Sequence, residues 1–293
     1  MLVVLWLLFI VALVGLGCAA ILWVVGNRQP AFGVGAEDTT WFVALKFKGA
    51  GQKAAPSLAS GVRQTWAATA EFSFIGDVER YWDRFLLLSG PADEKMPIIL
   101  SDDFADAYVV RLKVRLPPVM VLGAVRMLYL SGIWSMPKGE VSIDPKEIGS
   151  RPDAMPTKQS VAVLLSRPHA FKPTMVNFLK YRAEAKYDNA LPDSAPISGR
   201  KAYGLYGLVA FQTVHRTGGR LIFFGRVETV LREAKGGLTA GAWDEIGVMQ
   251  YSEPKAILTM EQVPAYRAAL KHRDAGLERT VIIASSQGEA KDR

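Results

Sequence analysis

Two short stretches decide the fold, because the second is a near-copy of the first: Leu45-Lys46-Phe47-Lys48 and Leu179-Lys180-Tyr181-Arg182. Three more pairs follow in the same order along the 293 residues. These pairs are Gly76-Asp77-Val78-Glu79 with Gly225-Arg226-Val227-Glu228, Trp82-Asp83 with Trp243-Asp244, and residues 108–115 with residues 266–273. Four matches in one order indicate an internal duplication, and the chain is long enough for two domains.

The two copies share a similar pattern of predicted elements. Runs rich in aromatic and β-branched residues predict strands, and the stretches between them are compatible with helices. In the first copy we predict strands at residues 40–47, 72–78 and 82–88 and helices near residues 57–69 and 93–113. In the second copy we predict strands at residues 174–181, 220–227, 242–251 and 279–284 and helices at residues 199–215 and 254–271. The last strand of the first copy has two candidates, within residues 119–134 or at residues 160–165.

This order predicts an α+β fold of two ferredoxin-like βαββαβ repeats, each an antiparallel sheet with both helices on one face. The other face of such a sheet needs cover. We therefore expect the two sheets to cover each other as an intramolecular dimeric α/β barrel. Because the Trp-Asp pair occurs in both copies, we expect it to serve folding, with the Trp packed and the Asp pairing or capping.

The first 27 residues contain no charged side chain and are almost wholly apolar. About 20 apolar residues are enough to cross a bilayer core. A cleaved signal peptide is the alternative, but its basic first region is absent and the apolar run is too long for it. We predict a single-pass transmembrane anchor at residues 1–27 in the cell membrane, with the lipid bilayer as partner. Arg28 follows the segment and no basic residue precedes it, which favours a cytoplasmic location for the remainder.

Behind the anchor we predict four further segments. Residues 39–134 form a divergent first repeat, residues 135–170 a linker with a possible extra strand, and residues 171–287 the second repeat. A polar tail follows at residues 288–293.

Composition excludes several classes of function. The formal net charge is +7, from 35 basic and 28 acidic residues, but no basic run or aromatic-interleaved stripe indicates nucleic-acid binding. The only cysteine is Cys18, inside the predicted anchor, and there are three histidines, so we expect no metal site. No phosphate-cradling glycine loop is present, and we expect no cofactor.

The second copy carries a set of residues that resembles a known superfamily. They are Met175-Val176-Asn177-Phe178-Leu179-Lys180-Tyr181, Gly218-Gly219-Arg220, Trp243-Asp244, Tyr251-Ser252-Glu253, Tyr266 and His272-Arg273-Asp274-Ala275-Gly276-Leu277. Over residues 173–285 the chain resembles the dimeric α/β-barrel superfamily, and within it the domain-of-unknown-function family 1330. The first copy lacks the Asn, the paired glycines and the His-Arg pair. The resemblance implies two domains that close a barrel, with a pocket between sheet and helices. Members include cofactor-free monooxygenases, haem-degrading enzymes, dehydratases and binding modules, so the resemblance selects no activity.

Aligning the copies places polar residues of the second opposite apolar residues of the first. Asn177 stands opposite Val43, and His272 stands opposite Val114. We therefore expect any site to lie in the second copy. His272 is the candidate catalytic residue, because a histidine exchanges protons near neutral pH. The alternative is that it stabilises the end of a helix as a cation.

Four further residues are candidates for ligand binding. Arg273 has a planar guanidinium that could hold an anionic group. Asn177 lies among apolar neighbours in a predicted strand, where a buried amide needs partners from a ligand or from a structural network. Tyr181 and Tyr266 could offer hydroxyl groups to a ligand, or could belong to the core.

We expect a membrane-anchored protein that binds a small hydrophobic ligand or a membrane protein partner. The alternative is a cofactor-free enzyme of the monooxygenase, isomerase or dehydratase type, with His272 as acid or base. A buried cavity that both His272 and Asn177 reach would favour the enzyme. A filled barrel with His272 facing water would favour binding.

Overall fold

The fold is taken from a computed structural model that describes residues 2–27, 38–49, 56–76, 80–91, 96–115, 117–136, 150–187, 196–237 and 242–287. Its strands are β1 (Thr39–Phe47), β2 (Ser57–Leu58), β3 (Arg63–Ile75), β4 (Arg84–Gly90), β5 (Ile98–Ile99), β6 (Phe104–Val114), β7 (Thr174–Tyr181), β8 (Arg220–Arg232), β9 (Glu245–Gln250) and β10 (Leu277–Gln287). Its helices are α1 (Leu2–Asn27), α2 (Val119–Leu130), α3 (Lys158–Leu165), α4 (Gly199–Arg216), the single turn α5 (Ala256–Thr259) and α6 (Pro264–Gly276).

Eight strands form a closed barrel in the order β1-β4-β3-β10-β7-β9-β8-β6. Every neighbouring pair is antiparallel. Each half of the chain contributes four adjacent strands, and two seams join the halves. Phe72 of β3 lies opposite Ala284 of β10 at one seam, and Leu112 of β6 lies opposite Val227 of β8 at the other.

The interior of the barrel is filled with large side chains from both halves. Phe42 is stacked on Phe85 with ring centroids 5.7 Å apart, and the edge of Phe178 meets Phe42 at 5.8 Å. Phe223 packs against Trp66 at 5.6 Å. Alternate residues of a strand point to opposite faces, so the remaining residues of these strands point outward. There they can pack against covering elements or line a site.

The prediction of two ferredoxin-like repeats is wrong, because the described residues of the first half contain no helix between β1 and β6. Residues 57–69, predicted as a helix, form β2, a turn at Gly61 and the start of β3. Trp66 and Ala68 point into the barrel while Ala67 lies on its outer face. Alanine favours helices, but the pairing of this segment with β4 and β10 and the burial of Trp66 against Phe223 outweigh that propensity.

The second helix predicted in the first half is also a strand. Residues 93–113 were predicted as an interrupted helix, yet residues 104–114 form β6. Tyr108 and Val110 face the interior, and Ala107 and Val109 face outward. The described residues therefore form a closed antiparallel barrel with helices outside it, and not a pair of α/β sandwiches.

The two halves cover their outer faces differently. In the second half, α4 and α6 lie over the sheet and bury an apolar layer with it. In the first half, Trp41, Val43 and Leu45 are buried against Leu58 and Ile98 from the small sheet β2-β5. A second apolar layer therefore forms on both halves, built with α4 and α6 on the second half and with the small sheet β2-β5 on the first.

The prediction of a membrane anchor is also corrected. In the part of the chain that the structure describes, no helix is both long and apolar enough to cross a bilayer. The side chains of α1 are described only for residues 14–26. This finding overturns the predicted single-pass anchor at residues 1–27 and the cell-membrane location. The cytoplasmic placement of the remainder was argued from that anchor and loses its basis.

Helix α1 packs closely against α2. A Cβ atom on Gly123 would lie 2.0 Å from the carbonyl oxygen of Leu22, and one on Gly26 would lie 2.2 Å from that of Val119. Both distances are shorter than any real contact, so only glycine permits this approach of the two backbones.

The Trp-Asp pairs occupy equivalent places in the two halves, as predicted for a role in folding. Trp82 and Trp243 are buried in the interior. An Asp83 carboxylate oxygen accepts a hydrogen bond from the backbone N–H of Phe47 at 2.8 Å, and Asp244 accepts one from Tyr181 at 2.8 Å.

Two of the four sequence matches are not structurally equivalent. The N–H of Ala70 donates to the carbonyl of Asp83, and the N–H of Val227 donates to the carbonyl of Asp244. Ala70 is therefore the structural counterpart of Val227, and the sequence match of residues 76–79 with residues 225–228 does not align equivalent positions. Residues 108–115 belong mainly to β6, whereas residues 266–273 lie in α6.

The region between the halves contains helices where a strand was one candidate. Residues 160–165 lie in α3, which begins after Thr157, whose side chain accepts a hydrogen bond from the N–H of Ser160 at 3.0 Å. Residues 119–134, the other candidate for a last strand, contain α2. The polar tail predicted at residues 288–293 lies outside the described residues.

Candidate functional site

A pocket of about 730 Å³ lies outside the barrel, between the sheet of the second half and the helices that cover it. Its floor is formed by β7, β8, β9 and β10, and its walls by α2, α4, α5 and α6. Most of the side chains around it are apolar or aromatic. The filled barrel interior and this pocket are therefore separated by the sheet itself.

Strand β7 supplies the centre of the floor through its alternation. Asn177, Leu179 and Tyr181 face the pocket. Val176 and Phe178, which alternate with Asn177 and Leu179 along the strand, face the barrel interior. The same strand therefore serves the core with one face and the pocket with the other.

Helix α4 leaves room above this floor. Gly204 and Gly207 border the pocket, and a Cβ atom on either would have no heavy atom within 4 Å. A glycine inside a helix costs roughly 0.5–1 kcal/mol relative to alanine. No close packing requires these two glycines, in contrast to Gly199, where a Cβ would lie 2.4 Å from the carbonyl oxygens of Arg182 and Gly276.

The Asn177 amide is held in one orientation. Its Nδ2 donates to the carbonyl oxygens of Met175 at 2.9 Å and Gly247 at 3.0 Å. Carbonyl oxygens only accept, so the amide nitrogen must face them and both of its hydrogens are used. The Oδ1 atom is then the group of Asn177 that remains for a ligand to donate to.

A buried polar cluster surrounds Glu245 in the pocket wall. One carboxylate oxygen accepts a hydrogen bond from the Tyr181 hydroxyl and the other is paired with the Arg200 guanidinium. Only 5% of the Glu245 side chain is exposed. Burial raises the pKa of Glu245, although the Tyr181 hydrogen bond and the positive charges of Arg200 and Arg115 act in the opposite direction. Burial also raises the pKa of Tyr181.

Arg273 forms a second cluster with two tyrosines. Its Nε donates to a carboxylate oxygen of Asp274 at 2.9 Å and its Nη2 donates to the Ser150 hydroxyl. The guanidinium carbon lies 5.8 Å from the centre of the Tyr206 ring. The hydroxyls of Tyr206 and Tyr266 are hydrogen-bonded to each other at 3.0 Å. These contacts hold the guanidinium, paired with Asp274, over the Tyr206 ring in the pocket wall.

Glu261 borders the pocket from the 3-10 turn Met260–Gln262, just before α6. Within the described part of the chain, its Oε2 is buried and has no hydrogen-bond partner. Burial raises the pKa of Glu261 to about 7, and the positive charges of Arg273 and Arg267 only partly oppose this. A carboxyl group with these properties exchanges protons near neutral pH.

The structure brings four of the five predicted site residues to the pocket. Asn177, Tyr181, Tyr266 and Arg273 all border it. His272 does not. Its Nδ1 is hydrogen-bonded at 2.8 Å to the hydroxyl of Tyr187, which does not border the pocket either. Burial, and next the positive charge of Lys271, lower the pKa of His272. A proton-transfer role for His272 at this pocket has no geometric support.

The sequence reasoning missed Glu261, Glu245 and Arg200. Glu245 had a usable signal, because it directly follows Trp243-Asp244 and begins a strand of apolar residues. Arg200 had none beyond its place at the start of a helix. Among the described residues, no three His, Cys, Asp or Glu side chains are grouped to hold a metal ion.

No protein-family model and no curated protein matches the chain. It is similar in part to two solved structures, a crystal structure of the methylated RPA0582 protein and one of the RPA0582 protein of unknown function from Rhodopseudomonas palustris. Each is 27% identical and covers 47% of this chain and 96% of its own, with TM-scores of 0.39 and 0.37. Structural similarity at these scores assigns neither a fold nor a function to this chain.

Proposed function

We propose that the protein binds a small, mostly apolar molecule in the pocket between the second-half sheet and its helices. The observation that carries this proposal is a pocket of about 730 Å³ whose wall is largely apolar, with a few fixed polar groups. Binding sites for small molecules typically have about 300–1,000 Å³ and this balance of apolar and polar lining.

The polar groups indicate the kind of ligand. Asn177 offers the acceptor Oδ1, because its two amide hydrogens are already used. Arg273 offers positive charge at a second place in the wall. We therefore expect a ligand with an apolar body that carries oxygen or nitrogen groups able to donate to Asn177 and accept from Arg273.

The helix glycines support the same proposal. Gly204 and Gly207 lower the stability of α4 without being needed for close packing, and both border the pocket. Their effect is to leave space there. This is understandable if a ligand fills the space.

The test is a fluorescence titration with N-phenyl-1-naphthylamine, a neutral apolar probe. We expect saturable binding to the wild-type protein. Gly207→Leu places a branched side chain in the open space of the pocket. It should raise the dissociation constant at least tenfold, which is a loss of about 1.4 kcal/mol of binding free energy. Gly207→Ala adds a single methyl group and should change it less than twofold.

A second control separates pocket binding from adhesion to apolar surface. Lys201 lies on α4, is exposed and does not border the pocket. Lys201→Leu therefore adds the same side chain outside the pocket and should leave binding unchanged. Equal affinity for Gly207→Leu and wild type, or no saturable signal from the wild type, would contradict the proposal.

A further inference from the structure

Resting on the proposed ligand pocket, we propose that this pocket is a site of proton transfer. The Glu261 carboxyl would move a proton off and onto a carbon atom next to the carbonyl group of an apolar ketone. The activity is a keto–enol exchange that needs no cofactor. Glu261 would be its acid and base.

Glu261 differs from the other buried carboxylate of the pocket. Both oxygens of Glu245 are engaged, one by Tyr181 and one by Arg200, so that carboxylate is part of a structural cluster. Glu261 has a buried oxygen without a hydrogen-bond partner among the described residues. A buried acceptor left without a partner is unfavourable, and such groups are found at sites of catalysis.

The charged and polar groups around Glu261 suit the reaction. Arg273 and Arg267 act on its carboxyl from α6. The Arg273 guanidinium carbon lies 5.8 Å from the centre of the Tyr206 ring on α4, and the Tyr206 hydroxyl is hydrogen-bonded to that of Tyr266 on α6. A fixed cation and hydroxyl donors stabilise the negative charge that develops on a carbonyl oxygen when the neighbouring carbon loses a proton.

The proton affinity of the carboxyl supports the same role. Burial brings the pKa of Glu261 to about 7. An acid or base is most effective when its pKa lies near the working pH, because both protonation states are then available.

The step balances without an oxidant. The Glu261 carboxylate takes the proton from the carbon, and the electron pair of the broken C–H bond forms the carbon–carbon double bond. The carbonyl π electrons move to the oxygen, where the Arg273 guanidinium and the one tyrosine O–H that is not used in the Tyr206–Tyr266 hydrogen bond stabilise the charge. Return of a proton from the neutral Glu261 carboxyl to carbon reverses each change and regenerates the ketone.

The experiment follows hydrogen–deuterium exchange of 2-tetralone in D₂O by ¹H NMR, with the full-length protein. Line broadening of the 2-tetralone signals measures binding, and loss of the signals of the protons beside the carbonyl measures exchange. We expect the wild type to accelerate exchange and Glu261→Gln to reduce this about 100-fold at unchanged binding, since general acid–base catalysis contributes about 10²–10⁴-fold. The wild-type rate should rise with pH through an inflection near 7 that Glu261→Gln lacks.

Two further variants keep the test decisive. Glu278 is exposed, and Glu278→Gln should behave as wild type. Glu261→Asp retains a carboxyl group on a shorter side chain and should exchange faster than Glu261→Gln and more slowly than wild type. This variant and the wild-type pH profile decide the matter if Glu261→Gln does not fold.

The outcomes distinguish the two proposals. Binding of 2-tetralone without accelerated exchange, or with equal exchange in Glu261→Gln, overturns proton transfer and leaves ligand binding intact. Absence of line broadening while N-phenyl-1-naphthylamine still binds saturably overturns proton transfer on apolar ketones and leaves pocket binding intact, whereas absence of both signals overturns both proposals.

Discussion

Glu261 shows how the fold of this chain determines the chemistry of a single side chain. An exposed glutamate has lost its proton well below neutral pH. Here burial raises the pKa from the ordinary 4.5 to about 7, against the opposing charges of Arg273 and Arg267. Between these two values the folded protein binds more protons than the unfolded chain. The contribution of this group to the unfolding free energy is therefore fully present below about pH 4.5 and is lost as the pH rises through about 7.

Glu261→Gln should remove this pH dependence. Relative to wild type, the variant should gain unfolding free energy between pH 5 and pH 8.5, on the order of 1–2 kcal/mol, reduced because the carboxyl keeps some contact with water. Urea unfolding at the two pH values measures this gain. Glu278→Gln, at an exposed position, should show none. A difference between variant and wild type that is the same at both pH values would show that the carboxyl is not perturbed.

Residue identity alone revealed part of the site. Asn177 was predicted because it lies among apolar neighbours and opposite Val43 of the other copy, and Tyr181, Tyr266 and Arg273 because of the hydroxyl or guanidinium groups that they offer. All four border the pocket. Glu261 could not be found in this way. It lies inside the helix predicted at residues 254–271, where a glutamate is ordinarily solvated, and its burial depends on tertiary packing. His272 does not border the pocket, because adjacent residues of a helix point in different directions.

At the level of elements, strands were predicted in both halves, whereas the helices predicted in the first half were wrong. The strand predicted at residues 174–181 has the same bounds in the structure, and α4 ends one residue beyond its prediction. The helix predicted at residues 254–271 is divided into α5, a 3-10 turn and α6. In the first half, β1 and β4 lie within two residues of their predicted bounds, but residues 57–69, predicted as a helix, form β2 and the start of β3. Local sequence could not resolve this, because β3 is fixed by pairing with β4 and with the distant β10.

The paired aspartates permit a test of equivalence between the halves. Asp83→Ala and Asp244→Ala each remove a carboxylate that accepts a backbone N–H at the end of the first strand of its half. We expect each to lower the unfolding free energy by about 1–3 kcal/mol, and the double variant to lose the sum. Chemical denaturation measures these changes. Asp102, which is exposed, serves as the control, and Asp102→Ala should have little effect. A large loss in one half only would mean that the two motifs are not equivalent.

At the level of the whole molecule, the barrel is held together by pairing between its halves. The seams β3-β10 and β6-β8 and a shared interior join the first four barrel strands to the last four. The peptide link between the halves is not needed for any of these contacts.

We therefore expect the two halves to stay associated after the chain is cut between them. A protease site inserted within residues 137–149 should give two fragments that elute together in size-exclusion chromatography and separate only in denaturant. The uncut protein with the same insertion is the control. Separation of the fragments in native buffer would show that the seams are weak without the covalent link.

The same seams have a consequence at high protein concentration. Nothing in the pairing of β3 with β10 or of β6 with β8 requires that both strands come from one polypeptide. Two molecules could exchange halves during refolding, and each rebuilt barrel would contain every contact of the original. Such a domain-swapped dimer would differ from the monomer only in the path of the connecting segment, so refolding conditions would decide which form is recovered.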